Sequence, residues 1–167
     1  MASAAANPPP PVLDCARVIA YAVVDPSIKY LERNTLYVGK PLKLLGPVPR
    51  LAVSQNIGEA ELMVLHCDNE WNVLGVTAAH HSVEEAKTYV ERSYPGIGSK
   101  WIDTNVSVEE ATAFLKEHFG DLKCSFCGRM FHEVWQYFGN DDARICDICV
   151  EQFAALVKKE KEGNDAA

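Results

Sequence analysis

The first sustained apolar run is Val18 to Val24, rich in β-branched residues and stopped by Asp25-Pro26. Its length and composition predict a buried strand. Between residues 35 and 54, Pro41, Pro47 and Pro49 stand with Gly39 and Gly46. Proline removes a backbone donor and glycine loosens the chain, so this stretch predicts short extended pieces joined by turns, not a helix. Glu61 to Cys67 and Trp71 to Ala78 are two further apolar runs, separated by Asp68-Asn69-Glu70. They predict a hairpin.

The period then changes from two to 3.6. Ser82-Val-Glu-Glu-Ala and Ser107-Val-Glu-Glu-Ala each open a helix with a serine N-cap. Glu85 and Glu110, three residues on, are placed to reach back as in a capping box. Acidic side chains in a first turn also suit the positive end of the helix. Val83, Ala86 and Val90 fall on one face of the first helix, and Val108, Ala111 and Leu115 on one face of the second. Pro95-Gly96 closes the first helix and Gly120 the second. Lys100 to Asp103 between them predicts a strand. The repeated opening reads as one good helix start used twice, since two copies make no solenoid.

These elements predict an α+β domain over residues 12–119, a small mixed sheet with two helices. Residues 1–11 are small side chains followed by a proline run and predict a disordered arm. Residues 158–167 are polar and predict a frayed tail. With 167 residues, 48% apolar and 23% charged, the chain is an ordinary globular one. Its net charge is −7. Residues 12–119 carry 10 basic and 14 acidic side chains, and residues 120–167 carry 6 and 9. Neither part is a basic module of the kind that holds phosphate backbones. No apolar run approaches the roughly 20 residues of a spanning helix, so no membrane role is expected. Met1 to Pro11 has no Lys, no Arg and no apolar core of a signal peptide. A cytoplasmic, reducing setting is expected, where paired cysteines more often hold metal than form disulfides.

The cysteines change the picture. Cys124-Ser-Phe-Cys127 and Cys146-Asp-Ile-Cys149 form two C-x2-C pairs separated by 18 residues. A C-x2-C turn converges two thiolates on one ion, and two such turns fill the tetrahedral shell of zinc. Gly128 directly after the first pair can take the positive φ that closes the turn. The second pair leads into Phe153, Leu156 and Val157 at helical spacing, which puts Cys146 and Cys149 at a helix N-terminus. Residues 130–145 between the pairs have the length of a β-hairpin. Knuckle, hairpin, knuckle and helix form a treble-clef-like C4 zinc module over residues 120–157. So small a module cannot sustain a core alone, and a structural zinc couples roughly 10 to 16 kcal/mol of apparent binding energy to its folding. One structural Zn2+ per chain, held by Cys124, Cys127, Cys146 and Cys149, is expected. A thioredoxin-like redox motif would have a single pair near a βαβ pattern, which is not found here.

Cys124-Ser-Phe-Cys-Gly-Arg129, then Ile145-Cys-Asp147 and Cys149-Val-Glu151, resemble the C4 zinc-binding domain at the N-terminus of the ClpX unfoldase. The resemblance covers about residues 122–157. It implies that the four cysteines are the ligands and that the domain dimerises or docks substrates and adaptor proteins. This sequence departs from the family in Ile148, where an acidic residue is usual, and in its aromatic spacer. No G-x4-G-K-[ST] phosphate loop occurs, so no unfoldase motor is expected. Residues 12–119 resemble no family that their sequence identifies.

The leading expectation is a non-enzymatic protein-interaction module, binding a partner protein or a second copy. Phe131, Trp135, Tyr137, Phe138, Phe153 and Leu156 are the candidate partner surface, because so small a fold cannot bury all its aromatics. The alternative is a C4 zinc-finger nucleic-acid-binding regulator. It ranks lower because Lys123, Arg129 and Arg144 near the cysteines face Asp121, Glu133, Asp141, Asp142 and Asp147. A hydrolase built on His80-His81 ranks third, without a nucleophile motif such as G-x-S-x-G, and no small-molecule substrate is expected. His66 and Cys67 adjoin on a strand and so point to opposite faces, which argues against a shared metal. Cys15 reads as a buried or tail thiol, His118 as a helix C-terminal group, and His132 as a ligand only if a cysteine were missing.

Overall fold

The computed structural model describes residues 7–33, 36–120, 123–140 and 142–164, at positions 132, 163 and 164 by backbone alone. The order of elements begins with β1 (Val12–Leu13), β2 (Ala16–Val23), β3 (Tyr37–Val38), β4 (Lys43–Leu44), β5 (Arg50–Asn56), β6 (Leu62–Cys67) and β7 (Val73–His80). There follow α1 (Val83–Ser93), a 3-10 turn at Ile97–Lys100, β8 (Ile102–Asp103) and α2 (Val108–Phe119). The last elements are β9 (Tyr137–Gly139), β10 (Arg144–Cys146) and α3 (Asp147–Asn164). The chain divides into two compact units, Met1–Leu115 and Lys116–Ala167. The division falls inside α2.

The first unit is α+β. Its six-stranded sheet runs β1-β2-β5-β6-β7, with β8 also paired to β2. The sheet expected to be mixed has antiparallel ladders throughout, β1–β2, β2–β5, β2–β8, β5–β6 and β6–β7. Connections between β1 and β2 and from β5 to β7 are tight hairpins, and a parallel pair needs a crossover of a dozen or more residues. Alternation along β2 leaves Ala16, Val18, Ala20 and Ala22 buried and their neighbours half-buried. The short pieces expected across residues 35–54 are β3, β4 and the start of β5, and the two runs flanking Asp68 to Glu70 are β6 and β7.

α1 covers one face of the sheet. Ala86 and Val90 pack with Ala20, Ala22, Leu51, Val53, Leu62 and Val64. Tyr94, fully buried at the end of the helix, accepts a hydrogen bond at its hydroxyl from the Val48 N–H at 2.9 Å. Burial pushes its own ionisation up to about 12. The Ser82 hydroxyl accepts from the Glu85 N–H at 3.1 Å. The reciprocal carboxylate reaches one residue further back than a capping box requires, to the His81 N–H at 2.7 Å. Ser107 caps α2 in the same way, accepting from the Glu110 N–H at 3.1 Å. Ala111 and Leu115 are buried, whereas Val108 is exposed.

The opposite face gathers Val18, Ala52, Leu65 and Cys67 around Trp71. Tyr21 meets the Trp71 ring edge-on at 5.6 Å, and the Arg50 guanidinium lies 4.9 Å from its centroid. On this face residues 7–11 of the arm expected to be disordered are held by hydrogen bonds. The Asn7 carbonyl accepts from Trp71 Nε1 at 2.9 Å and Arg50 Nη1 at 3.2 Å, and the Pro11 carbonyl accepts from the Val18 N–H at 3.0 Å. Proline chain has carbonyls but no donors, so it docks where the sheet presents donors. The rest of that arm, residues 1–6, lies outside the described residues. Part of the tail expected to fray is helical. α3 continues to Asn164, through a Lys- and Glu-rich run of good helix formers with Lys158 and Glu162 paired one turn apart at 3.9 Å. Residues 165–167 lie outside the described residues.

Candidate metal centre

In the second unit an isolated bridge joins Lys123 to Met130 and closes the first turn around Cys124 and Cys127. The Cys124 N–H donates to the Arg129 carbonyl at 2.8 Å, and the Gly128 N–H returns to the Cys124 carbonyl at 2.9 Å. Gly128 has φ +74°, a backbone state that glycine adopts without strain. β9 and β10 pair antiparallel, with Cys146 opposite Tyr137. β10 delivers Cys146 to the start of α3, and Cys149 sits in its first turn. The Ser125 N–H donates to the Arg144 carbonyl at 2.8 Å and Ser125 Oγ accepts from the Arg144 N–H at 3.0 Å, tying the first turn to β10.

This arrangement brings the four cysteine Sγ atoms within 4.8 Å of one another. Cys124 and Cys149 are 3.8 Å apart, and Cys127 and Cys146 3.6 Å. Sulfurs placed about 2.3 Å from a common centre at tetrahedral corners are about 3.8 Å apart. A disulfide would need about 2.05 Å, and all four thiols are free. The donor set therefore fits one four-coordinate zinc. Cys124, Cys146 and Cys149 are buried and Cys127 is exposed.

Backbone dipoles are already turned toward the sulfurs. Burial pushes the Cys124 thiol up, but N–H groups of Cys127, Cys146 and Phe126 outweigh it and bring it down to about 6. The Arg129 N–H and guanidinium hold Cys127 below the usual thiol range. Burial and the neighbouring sulfurs push Cys149 up to about 12. Four thiolates packed together repel one another, and a bound dication offsets that repulsion and favours the thiolate of all four. Val134, Tyr137, Ile145 and Ile148 pack against the cluster and screen it from water.

The sequence-predicted partner residues separate into two groups. Tyr137 turns inward and donates from its hydroxyl to the Arg129 carbonyl at 2.8 Å. Phe131 is half-buried. Trp135, Phe138, Phe153 and Leu156 are exposed, Trp135 to 82%. Phe126 and Val157 join them, and Phe126 meets Phe153 edge-on at 5.3 Å. Phe126 was open to detection from its place between the two ligands of a C-x2-C turn, where a side chain points outward.

Among the described residues the histidines assemble no second centre. His66 is buried on the α1 face, while Cys67 belongs to the Trp71 face. His80 ends β7 buried against the Tyr89 ring at 5.1 Å, and His81 is exposed. Among the described residues, the four cysteines are the one group of three or more ligating side chains close enough to share a metal. Cys15 is neither buried nor in a tail. It is exposed in the β1–β2 turn at φ +63°. His118 lies in the last turn of α2, and the side chain of His132 lies outside the described residues.

Residues 122–159 match the family model of the ClpX C4-type zinc finger. The chain thus carries a ClpX-type C4 zinc-binding domain with one structural zinc, for which Cys124, Cys127, Cys146 and Cys149 supply the donors. No solved structure matches the chain. Among the described residues no helix is long and apolar enough to cross a membrane.

Proposed function

We propose that the zinc-binding unit is a non-enzymatic docking module of the cytoplasm, which binds a partner protein or a second copy through the surface beside its metal. The observation that carries this is the exposure of Trp135, Phe138, Phe153 and Leu156 around a closed ligand set. Four thiolates leave no coordination position for water or substrate, so the metal builds a surface and does no chemistry. Exposed aromatic and aliphatic side chains clustered on one small unit mark an interaction site. A reducing compartment keeps paired thiols available to zinc, which supports the cytoplasm. The nucleic-acid reading lacks a basic stripe, since Glu133, Asp142 and Asp147 offset Lys123, Arg129 and Arg144.

Photo-crosslinking from position 135 in the source cell identifies the occupant, and calorimetry then measures its affinity for the full chain. Trp135→Ser with Leu156→Ser is expected to weaken that affinity at least tenfold while zinc content stays at one per chain. Unchanged affinity, or salt-sensitive binding of the full chain to DNA in its place, overturns the reading.

A further inference from the structure

We propose that the sheet face carrying Trp71 and Tyr21 is a proline-recognition groove, closed in cis by residues 7–11. Its occupant in trans is a proline-rich segment of another protein, flanked by a basic residue. Consecutive prolines favour the polyproline II helix, which makes no internal hydrogen bonds and leaves its carbonyls to be read from outside. Grooves for such segments combine aromatic rings with donors aimed at those carbonyls. Both are found here. Trp71 Nε1 donates at 2.9 Å, and Arg50 Nη1 at 3.2 Å, to the Asn7 carbonyl directly before Pro8. The Val18 N–H donates to the Pro11 carbonyl at 3.0 Å. Tyr21 stands edge-on to Trp71 and borders the same cavity as Pro8, Pro9 and Pro11.

The seated arm displays the chemistry that the groove reads. All three hydrogen bonds go to backbone carbonyls, which a proline run from any chain presents. The arm does not exhaust the site. A cavity of about 310 Å³ remains beside its prolines, walled by Tyr21, Ile102 and Glu110 among others. Ile102 is 51% exposed. Arg50 Nε is buried without an acceptor among the described residues.

Charge selects the partner. The charged side chains of the cavity are Asp103 and Glu110. Asp103 is paired with Lys87 at 3.2 Å. Glu110 is exposed, and among the described residues no cation pairs with it. Residues 1–11 contain no Lys and no Arg, so no side chain of the arm answers that carboxylate. A basic residue beside a partner's prolines does. The partner needs this gain, because a short tether keeps the arm at an effective concentration in the millimolar range. The groove lies within the first unit and does not rest on the docking role of the zinc unit.

The test titrates a synthetic Arg-Pro-Pro-Pro-Pro-Arg peptide into the zinc-loaded full chain and follows the indole N–H signals by nuclear magnetic resonance. The Trp71 signal is expected to move. Pro8→Gly combined with Pro9→Gly loosens the arm and is expected to raise the affinity at least tenfold; Pro9→Gly alone serves should the pair fail to fold. A peptide with Glu in both Arg positions is expected to bind at least tenfold more weakly. Glu110→Lys is expected to abolish that preference, with unchanged circular dichroism and zinc content. A Trp71 signal that stays fixed in both the native and the loosened chain overturns the inference, as does equal affinity for the two peptides. A shift at Trp135 alone also overturns it and assigns the peptide to the zinc unit.

Discussion

Cys127 and Cys146 are 19 positions apart in the chain, and their sulfurs stand 3.6 Å apart. No disulfide joins them. Hydrogen bonds between the first turn and β10 hold them together, through Ser125 and Arg144. The polypeptide thus prearranges a cage whose lining is mutually repulsive until a cation enters. Folding and metal binding in this unit are one equilibrium.

Protein purified without added metal is expected to contain one zinc per chain by elemental analysis. Four readily titrated thiols in a folded, metal-free protein would contradict the closed cage.

Cys127→Ser is expected to unfold the second unit and leave the first folded. The first unit has its own core around Tyr94, Leu51 and Val90, whereas the packing around the cysteines is small. Calorimetry of the variant, or of the native chain with chelator, should show the α+β transition persisting alone. A single transition at the native position would refute the separation.

Acid should weaken the first unit through His66. Burial holds its folded pKa at about 4, against 6.5 for a free imidazole. The unfolded chain therefore binds the proton first, and stability falls as pH drops from about 6.5 and levels off below about 4. The span is worth about 3 kcal/mol. His66→Leu should remove most of that slope in urea titrations between pH 7 and 4.5. A variant with the native slope would rule His66 out as its source.

Two glycines should respond differently to alanine. At Gly139, φ is +132° and a Cβ would lie 2.1 Å from the Ala143 carbonyl oxygen, so the β9–β10 turn cannot keep its shape. At Gly128 nothing lies within 4 Å and only the strain of φ +74° remains, about 1 kcal/mol. Competition with a chromophoric chelator should show a large loss of zinc affinity for Gly139→Ala and a small one for Gly128→Ala. Equal losses would mean that backbone strain, not collision, governs both.

Local chemistry was legible wherever neighbours in sequence are neighbours in space. Two C-x2-C turns, two serine caps and two apolar runs around Asp68 to Glu70 each need only a few consecutive residues to declare themselves. The docking of Asn7 was not legible, because its partners Trp71 and Arg50 lie more than 40 positions away. Neither was the inward turn of Tyr137, whose hydroxyl finds the Arg129 carbonyl only once the hairpin has formed.

The order of residues alone determined the metal, because ligand type and spacing set what a thiolate cluster can bind. It also determined the α+β character of the first unit, through periodicity and capping. Tertiary structure decided which faces remain open. Whether Trp135, Phe153 or the edge of β7 meets water depends on what long-range packing places over it, and hydrophobicity along the chain is the same for a covered side chain and an uncovered one.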